Sequence, residues 1–217
     1  MAFLVLENAK ASLIARSGWR YAFLTALLIV AVYFYAGLIA SLFLLPIPFL
    51  MLYLFRDPSR HIPPRPLAIV SPCDGIVESV SSIYDRYINR EAIKIHIRMS
   101  IFDVYTMRSP IEGKVEQQWY RQQRDGGEGP HFAQWIQTDE EDSIVVLIYP
   151  HRLTGMPRCK TNIGERIGQG QACSYISFGA DIEVWVPANA YLLVENGQRV
   201  VGGESVLADF IHKKLPV

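Results

Sequence analysis

The residue types that most often carry chemistry are sparse in this chain, and their spacing limits what they could do. Its three cysteines are Cys73, Cys159 and Cys173. They are too few and too scattered for a zinc site or a disulfide framework. An odd count fits ordinary free thiols in a reducing compartment. The five histidines, from His61 to His212, show no metal-ligand spacing, so no metal is expected. His96 falls on the polar face of a strand pattern, where solvation or hydrogen bonding is its ordinary role. A covalent carrier of the lipoyl or biotinyl kind would present a lysine at a hairpin tip within an acceptor motif, and Lys94, Lys114 and Lys160 lack that context. Asp74-Gly75 by itself is a common turn pair. Trp119, Trp135 and Trp185 read as core or membrane-edge packing.

The elements that would hold any site fall into two parts. Half of the 217 residues are hydrophobic, formal net charge is zero, and mean hydropathy is +0.15. No Lys/Arg run points to nucleic acid. The apolar excess is concentrated from Tyr21 to Phe55, where no residue is charged. One straight helix over that stretch would be roughly 50 Å long at 1.5 Å per residue, against a hydrocarbon core of ~30 Å. A helical hairpin is expected instead, with arms at about 21–35 and 39–54 and a turn near Gly37. Pro46 and Pro48 would kink or shorten the second arm. Basic residues flank both ends, Lys10, Arg16 and Arg20 before and Arg56, Arg60 and Arg65 after, which places both ends on the cytoplasmic side by the positive-inside rule. These flanking arginines serve topology and lipid headgroups first. The apolar run is too long for a cleaved signal peptide, and no small-residue cleavage site follows it.

Pro58, Pro63, Pro64 and Pro66 then form a stiff link. The expected organisation is an N-terminal cytoplasmic segment (1–20), a membrane hairpin (21–55), a Pro-rich linker (56–67) and a β domain (68–217). Strand patterns lie at 68–70, 75–80, 92–99, 113–120, 143–149, 181–186 and 191–195. The clearest is 92–99, where Ile93, Ile95, Ile97 and Met99 alternate with Lys94, His96 and Arg98. Asp74-Gly75, Glu112-Gly113, Asn196-Gly197 and Gly202-Gly203 read as turns. The fold class is mostly β, a small barrel or sandwich carried on the hairpin.

Phe55-Arg56-Asp57-Pro58 follows the apolar stretch. After it come Ser71-Pro72-Cys73-Asp74-Gly75-Ile76-Val77, then the run from Met99 to Pro110, Met-Ser-Ile-Phe-Asp-Val-Tyr-Thr-Met-Arg-Ser-Pro, with Gly113-Lys114-Val115 beyond, then the Gly-rich runs 164–170 and 202–204 and the segment Ser177-Phe178-Gly179-Ala180-Asp181. Taken in order, these segments resemble the short, membrane-associated phosphatidylserine decarboxylases of bacteria and archaea. The second is similar to that family's Ser-Pro-Ala-Asp-Gly-Lys-Val, and the third to its Met-Ser-x-Phe-Asp-Val-His-x-Asn-Arg-x-Pro. The runs 164–170 and 202–204 resemble its later Gly-rich turns, and 177–181 resembles its self-cleavage segment.

The resemblance implies a pyruvoyl enzyme that makes its own cofactor. A serine attacks the peptide bond before it, the chain breaks, and the serine becomes the pyruvoyl group. An Asp-His pair activates that serine. Here Asp74 holds the Asp position, Tyr105 stands at the His position, and Ala180, after Gly179, stands at the Ser position. A methyl cannot attack, and a phenol of ordinary pKa near ~10 is a poor base at neutral pH. The family's Asn-Glu-Arg is replaced by Thr138-Asp139-Glu140-Glu141-Asp142, which exchanges a guanidinium suited to phosphate or carboxylate for acids that repel both. Ser177 and Cys173 lie near enough in sequence to be weighed as substitute nucleophiles, but strand register would set both several ångströms from Asp74.

The expected function is that of a membrane-anchored, catalytically inactive relative. It would bind phospholipid or other membrane subunits, at the inner membrane with the soluble domain on the cytoplasmic side, with no cofactor. Asp74, Tyr105, Gly179 and Ala180 would be its vestigial site. The alternative is a working decarboxylase that acquires a pyruvoyl group by another maturation route.

Overall fold

A computed structural model describes residues 16–121, 129–151 and 155–211, with backbone only for 16–22. Lys10 and His212, and most of the expected N-terminal cytoplasmic segment, lie outside the described residues. The chain divides into two compact units after Ser59, inside the Pro-rich linker read from the sequence.

The first unit is helical. α1 runs Arg16–Leu44 and α2 Pro46–Leu54. Within α1 the backbone leaves the helix at Gly37 (φ 85°, ψ −179°), a left-handed conformation that glycine adopts without steric cost. The break falls where the sequence places the turn. Pro46 opens α2 at a position where its missing N–H costs nothing. The 22 residues Phe23–Leu44, mean hydropathy 2.4, are long and apolar enough to cross a membrane. Phe23, Leu27, Leu28, Phe34 and Phe43 are all exposed, a surface that suits lipid better than water.

The second unit is β. Its strands are β1 (Ala68–Val70), β2 (Gly75–Asp85), β3 (Arg90–Met99), β4 (Thr106–Arg108), β5 (Gly113–Arg121), β6 (His131–Gln137), β7 (Ser143–Pro150), β8 (Arg158–Cys159), β9 (Arg166–Ile167), β10 (Ala172–Tyr175), β11 (Ala180–Pro187), β12 (Tyr191–Leu192), β13 (Arg199–Val200) and β14 (Val206–Asp209). Eight of them form one curled antiparallel sheet in the order β13-β2-β3-β11-β7-β6-β5-β9, a half-barrel whose two edge strands do not pair with each other. Two three-stranded sheets accompany it, β1-β14-β12 and β4-β10-β8.

Alternation in β3 works as expected. Ile95, Ile97 and Met99 are buried while Lys94, His96 and Arg98 face outward. β7 breaks that rule, because Ser143 to Ile148 are all buried. Its second face is covered by a satellite cluster in which Ala133, Val145, Leu147 and Trp185 are packed by Tyr87, Trp119, Trp135 and Tyr149. The three tryptophans are therefore core packing. Leu147→Ala would open a cavity under this cluster and is expected to cost about 2–5 kcal/mol, read as a lowered midpoint in thermal unfolding of the detergent-solubilised chain.

Candidate functional site

The small sheet β4-β10-β8 positions the segment that resembles a cleavage site. Tyr175 pairs with Thr106, and the Ile176 amide donates to the Tyr105 carbonyl at 3.0 Å. This register lays Tyr105 against the turn from β10 into β11, with its ring centroid 6.1 Å from that of Tyr175 and 5.8 Å from that of Phe178. Tyr105 is buried, and its hydroxyl donates to the Ile101 carbonyl at 2.7 Å. A phenol whose proton is committed to a carbonyl is placed as a structural strut.

Phe178 and Gly179 both have positive φ, 64° and 85°. That is ordinary for Gly179 and strained for a phenylalanine, at roughly 1–3 kcal/mol. A Cβ at Gly179 would lie 2.8 Å from the Met99 carbonyl and 3.3 Å from His151 Nδ1, so position 179 is closed to larger residues on two counts. Ala180 follows, fully buried, paired with Met99 on β3 and Pro150 on β7. The backbone keeps a tight, strained turn at the bond that would be cut, while the side chain after it is a methyl.

Asp74 lies just before β2, and its carboxylate is engaged elsewhere. Arg60 Nη2 donates to both of its oxygens, at 2.9 and 2.7 Å, and the Gly202 amide donates to Oδ1 at 2.8 Å. Both side chains are nearly buried, 11% and 12% exposed. Arg60, read from sequence as a topology and headgroup charge, instead clasps Asp74 to the linker. Breaking a pair buried this well by removing one partner costs about 3–5 kcal/mol. Arg60→Met is therefore expected to lower the unfolding midpoint markedly, whereas an exposed pair such as Arg166–Asp139 should yield almost nothing on removal.

Of the two substitute nucleophiles weighed, Cys173 is poorly placed to serve. The Cys173 thiol is buried, donates to the Met107 carbonyl at 3.6 Å, and is pushed up to about 12 by burial. It stays protonated at neutral pH and attacks nothing. Burial and the neighbouring Asp74 and Asp103 push Cys73 up as well. The acidic run lies away from this site. Residues 138–142 form the β6–β7 turn, closed by the Thr138 amide on the Asp142 carbonyl, and Asp139 pairs with Arg166. That turn is at the Ser143 end of β7 and Ala180 at the Pro150 end, roughly 23 Å apart at ~3.3 Å per residue. The acidic run thus lies apart from the surroundings of Ala180.

A cavity of about 430 Å³ opens beside Met99, lined by Ile76, Glu78, Arg98, Ile101, His151 and Arg199 among others. None of Asp74, Tyr105, Gly179 and Ala180 is among its lining residues. On the outer face of the sheet Glu78, His96 and Asp181 bring one ligand atom each within 4.8 Å of one another. Sequence spacing hid this group because its members come from three different strands.

The phosphatidylserine decarboxylase family model matches residues 48–208. The chain belongs to the phosphatidylserine decarboxylase family. It is 33% identical over 209 residues to the phosphatidylserine decarboxylase proenzyme of Nitrosomonas eutropha, covering 91% of this chain and 95% of that one. The corresponding proenzyme of Cupriavidus metallidurans is 33% identical over 211 residues, 93% and 97% of the two chains, and that of Paraburkholderia xenovorans 29% over 211 residues. Against the pyruvoyl group that this family implies, the residues present do not fit. Position 180 has no side-chain oxygen, the Tyr105 proton is bound to the Ile101 carbonyl, and Asp74 is bound to Arg60.

Proposed function

We propose that this chain is a non-catalytic member of the decarboxylase family, retained at the membrane as a lipid-binding or protein-binding subunit. The observation that carries the reading is Ala180, a methyl at the position where the family's resemblance requires the attacking serine. Decarboxylation of this kind needs an electron sink, and a pyruvoyl carbonyl serves by forming a Schiff base with the substrate amine. Among the described residues, none near position 180 supplies an equivalent. The Arg60–Asp74 clasp and the Tyr105–Ile101 hydrogen bond support the same reading, since both convert former activating positions into structural ties.

The binding role is supported by the exposed apolar helix and by the cavity. Its wall combines Ile76 and Ile101 with Arg98, Arg199 and His151, a mixture suited to the border between a phospholipid headgroup and its chains. Both ends of the apolar segment are placed on the cytoplasmic side of the inner membrane, from the basic residues at each flank. Reporter fusions at Lys10 and at the C-terminus are expected to report the same side, and opposite sides would show a single crossing. Expression in a host lacking its own decarboxylase tests the loss of turnover. The wild-type chain is expected to leave phosphatidylserine unconverted, while restored phosphatidylethanolamine would return the enzyme reading.

A further inference from the structure

The turn that follows β3 carries apolar residues where turns ordinarily carry Gly, Asn, Asp, Ser or Pro. Ile101 and Phe102 stand at its tip, 48% and 52% exposed. The backbone beneath them is braced. The Asp103 amide donates to the Ser100 carbonyl at 3.1 Å, and the Ser100 amide donates back to Asp103 Oδ2 at 2.8 Å. Arg199 Nη2 donates to Asp103 Oδ1 at 2.9 Å, and the Tyr105 hydroxyl donates to the Ile101 carbonyl at 2.7 Å. Two large apolar side chains are thus presented to the outside on a fixed support.

Single apolar residues scattered over a surface are ordinary, but these two have neighbours. Phe178, 40% exposed, lies against the same Tyr105 ring, and its backbone is held at a strained φ of 64°. Ile76, 46% exposed, lines the same cavity as Ile101. The antiparallel register brings them together, because β2 and β11 begin where β3 and β7 end. The linker enters at this same end of the sheet. Arg60, the first residue of the β unit, is bonded to Asp74, the residue before β2. Only residues 55–59 separate Arg60 from the end of α2 at Leu54, a span of at most roughly 22 Å at ~3.6 Å per residue step. The apolar tip therefore lies at the end of the β unit that is tethered to the apolar segment, and lipid is the surface that this tether brings within reach.

We propose that Ile101 and Phe102 form a lipid-docking tip, on which the β unit rests against the bilayer with both side chains at the boundary between headgroups and acyl chains. This rests on the membrane placement of the chain and is independent of whether the chain turns substrate over. Phe178 and Ile76 widen the contact, and the cavity that Ile76 and Ile101 line lies against the lipid. Arg98 and Arg199 beside the tip are each paired with an acid, Glu78 and Asp103. They leave no unpaired positive charge to select anionic lipid, so the docking is apolar.

Site-specific fluorescence of the full-length chain in phosphatidylcholine vesicles tests the tip. One environment-sensitive label is attached in a Cys159→Ser background, in which the remaining Cys73 and Cys173 are buried. It is placed by Phe102→Cys at the tip, by Leu28→Cys in the apolar helix, or by Tyr84→Cys. Tyr84 is exposed and lies toward the far end of β2, roughly 26 Å along the strand from Ile76 at ~3.3 Å per residue. Lipids with a nitroxide near the top of the acyl chain are expected to quench positions 28 and 102 severalfold more than position 84, with or without added phosphatidylglycerol. Ile101→Ser should weaken the quenching at 102 and leave that at 28 unchanged. No quenching at 28 would overturn the membrane placement itself. Quenching at 28 with none at 102 would overturn the docking tip alone. Shielding of 102 from aqueous iodide without quenching by the nitroxide would show that a second copy of the chain covers the tip, and a requirement for phosphatidylglycerol would show a charge-driven contact. Either result overturns the proposal.

Discussion

Restoring the hydroxyl alone, by Ala180→Ser, is expected to leave the chain uncut, while Ala180→Ser with Tyr105→His should cleave measurably. The turn that would position the attack persists, with Phe178 and Gly179 both at positive φ and Ala180 fixed between Met99 and Pro150. A serine there would carry an oxygen and lack a base, because the Tyr105 hydroxyl is spent on the Ile101 carbonyl. In serine hydrolases the loss of one triad member costs on the order of 10⁴-fold or more, which separates hours from years for a slow self-cleavage. The double variant regains the imidazole, but its Asp partner remains clasped by Arg60. Adding Arg60→Met should therefore accelerate cleavage further, at a cost in stability. Fast cleavage of the single variant, followed by gel shift over a day, would mean that another group serves as base.

The second large effect concerns the membrane. Leu28→Arg places a charge on α1 at a residue that is 53% exposed within the apolar span Phe23–Leu44. Insertion scales put an arginine at mid-helix at roughly 2.5–3.5 kcal/mol, a shift of about 70- to 400-fold in the equilibrium between inserted and non-inserted chain. If the proposed binding role holds, co-purification from solubilised native membranes is expected to recover partner subunits with the wild-type chain and to lose them in this variant. Asp74→Ala, by contrast, removes a carboxylate to which the proposed function gives no chemical duty, and should change only stability. If Asp74→Ala alters cellular phosphatidylethanolamine while Leu28→Arg changes nothing, binding through the hairpin is not the function.

Some of this was plain in the residues and some was not. The break at Gly37 was legible because only glycine sits easily at φ 85°, and β3 because its inward face is strictly Ile-Ile-Ile-Met. β6 was missed, since His131 and Gln134 made a buried strand look polar. His131 is in fact buried by its bond to the Tyr87 hydroxyl at 2.7 Å. The two-residue strands β8, β9 and β13 carry no period to detect. At the site, Ala180 and Tyr105 could be found by motif, because motif order is a one-dimensional property. Arg60 as the partner of Asp74, the distance of the acidic turn from Ala180, and the Glu78–His96–Asp181 group could not, because each depends on cross-strand register and a bulge.

Intact-mass spectrometry of the purified protein tests the proposed loss of self-cleavage most directly. A single uncleaved chain of 24.6 kDa is expected, with a tryptic peptide spanning the Gly179–Ala180 bond recovered whole. Two fragments separated at or beside that bond, the C-terminal one beginning with a pyruvoyl group, would contradict the reading outright.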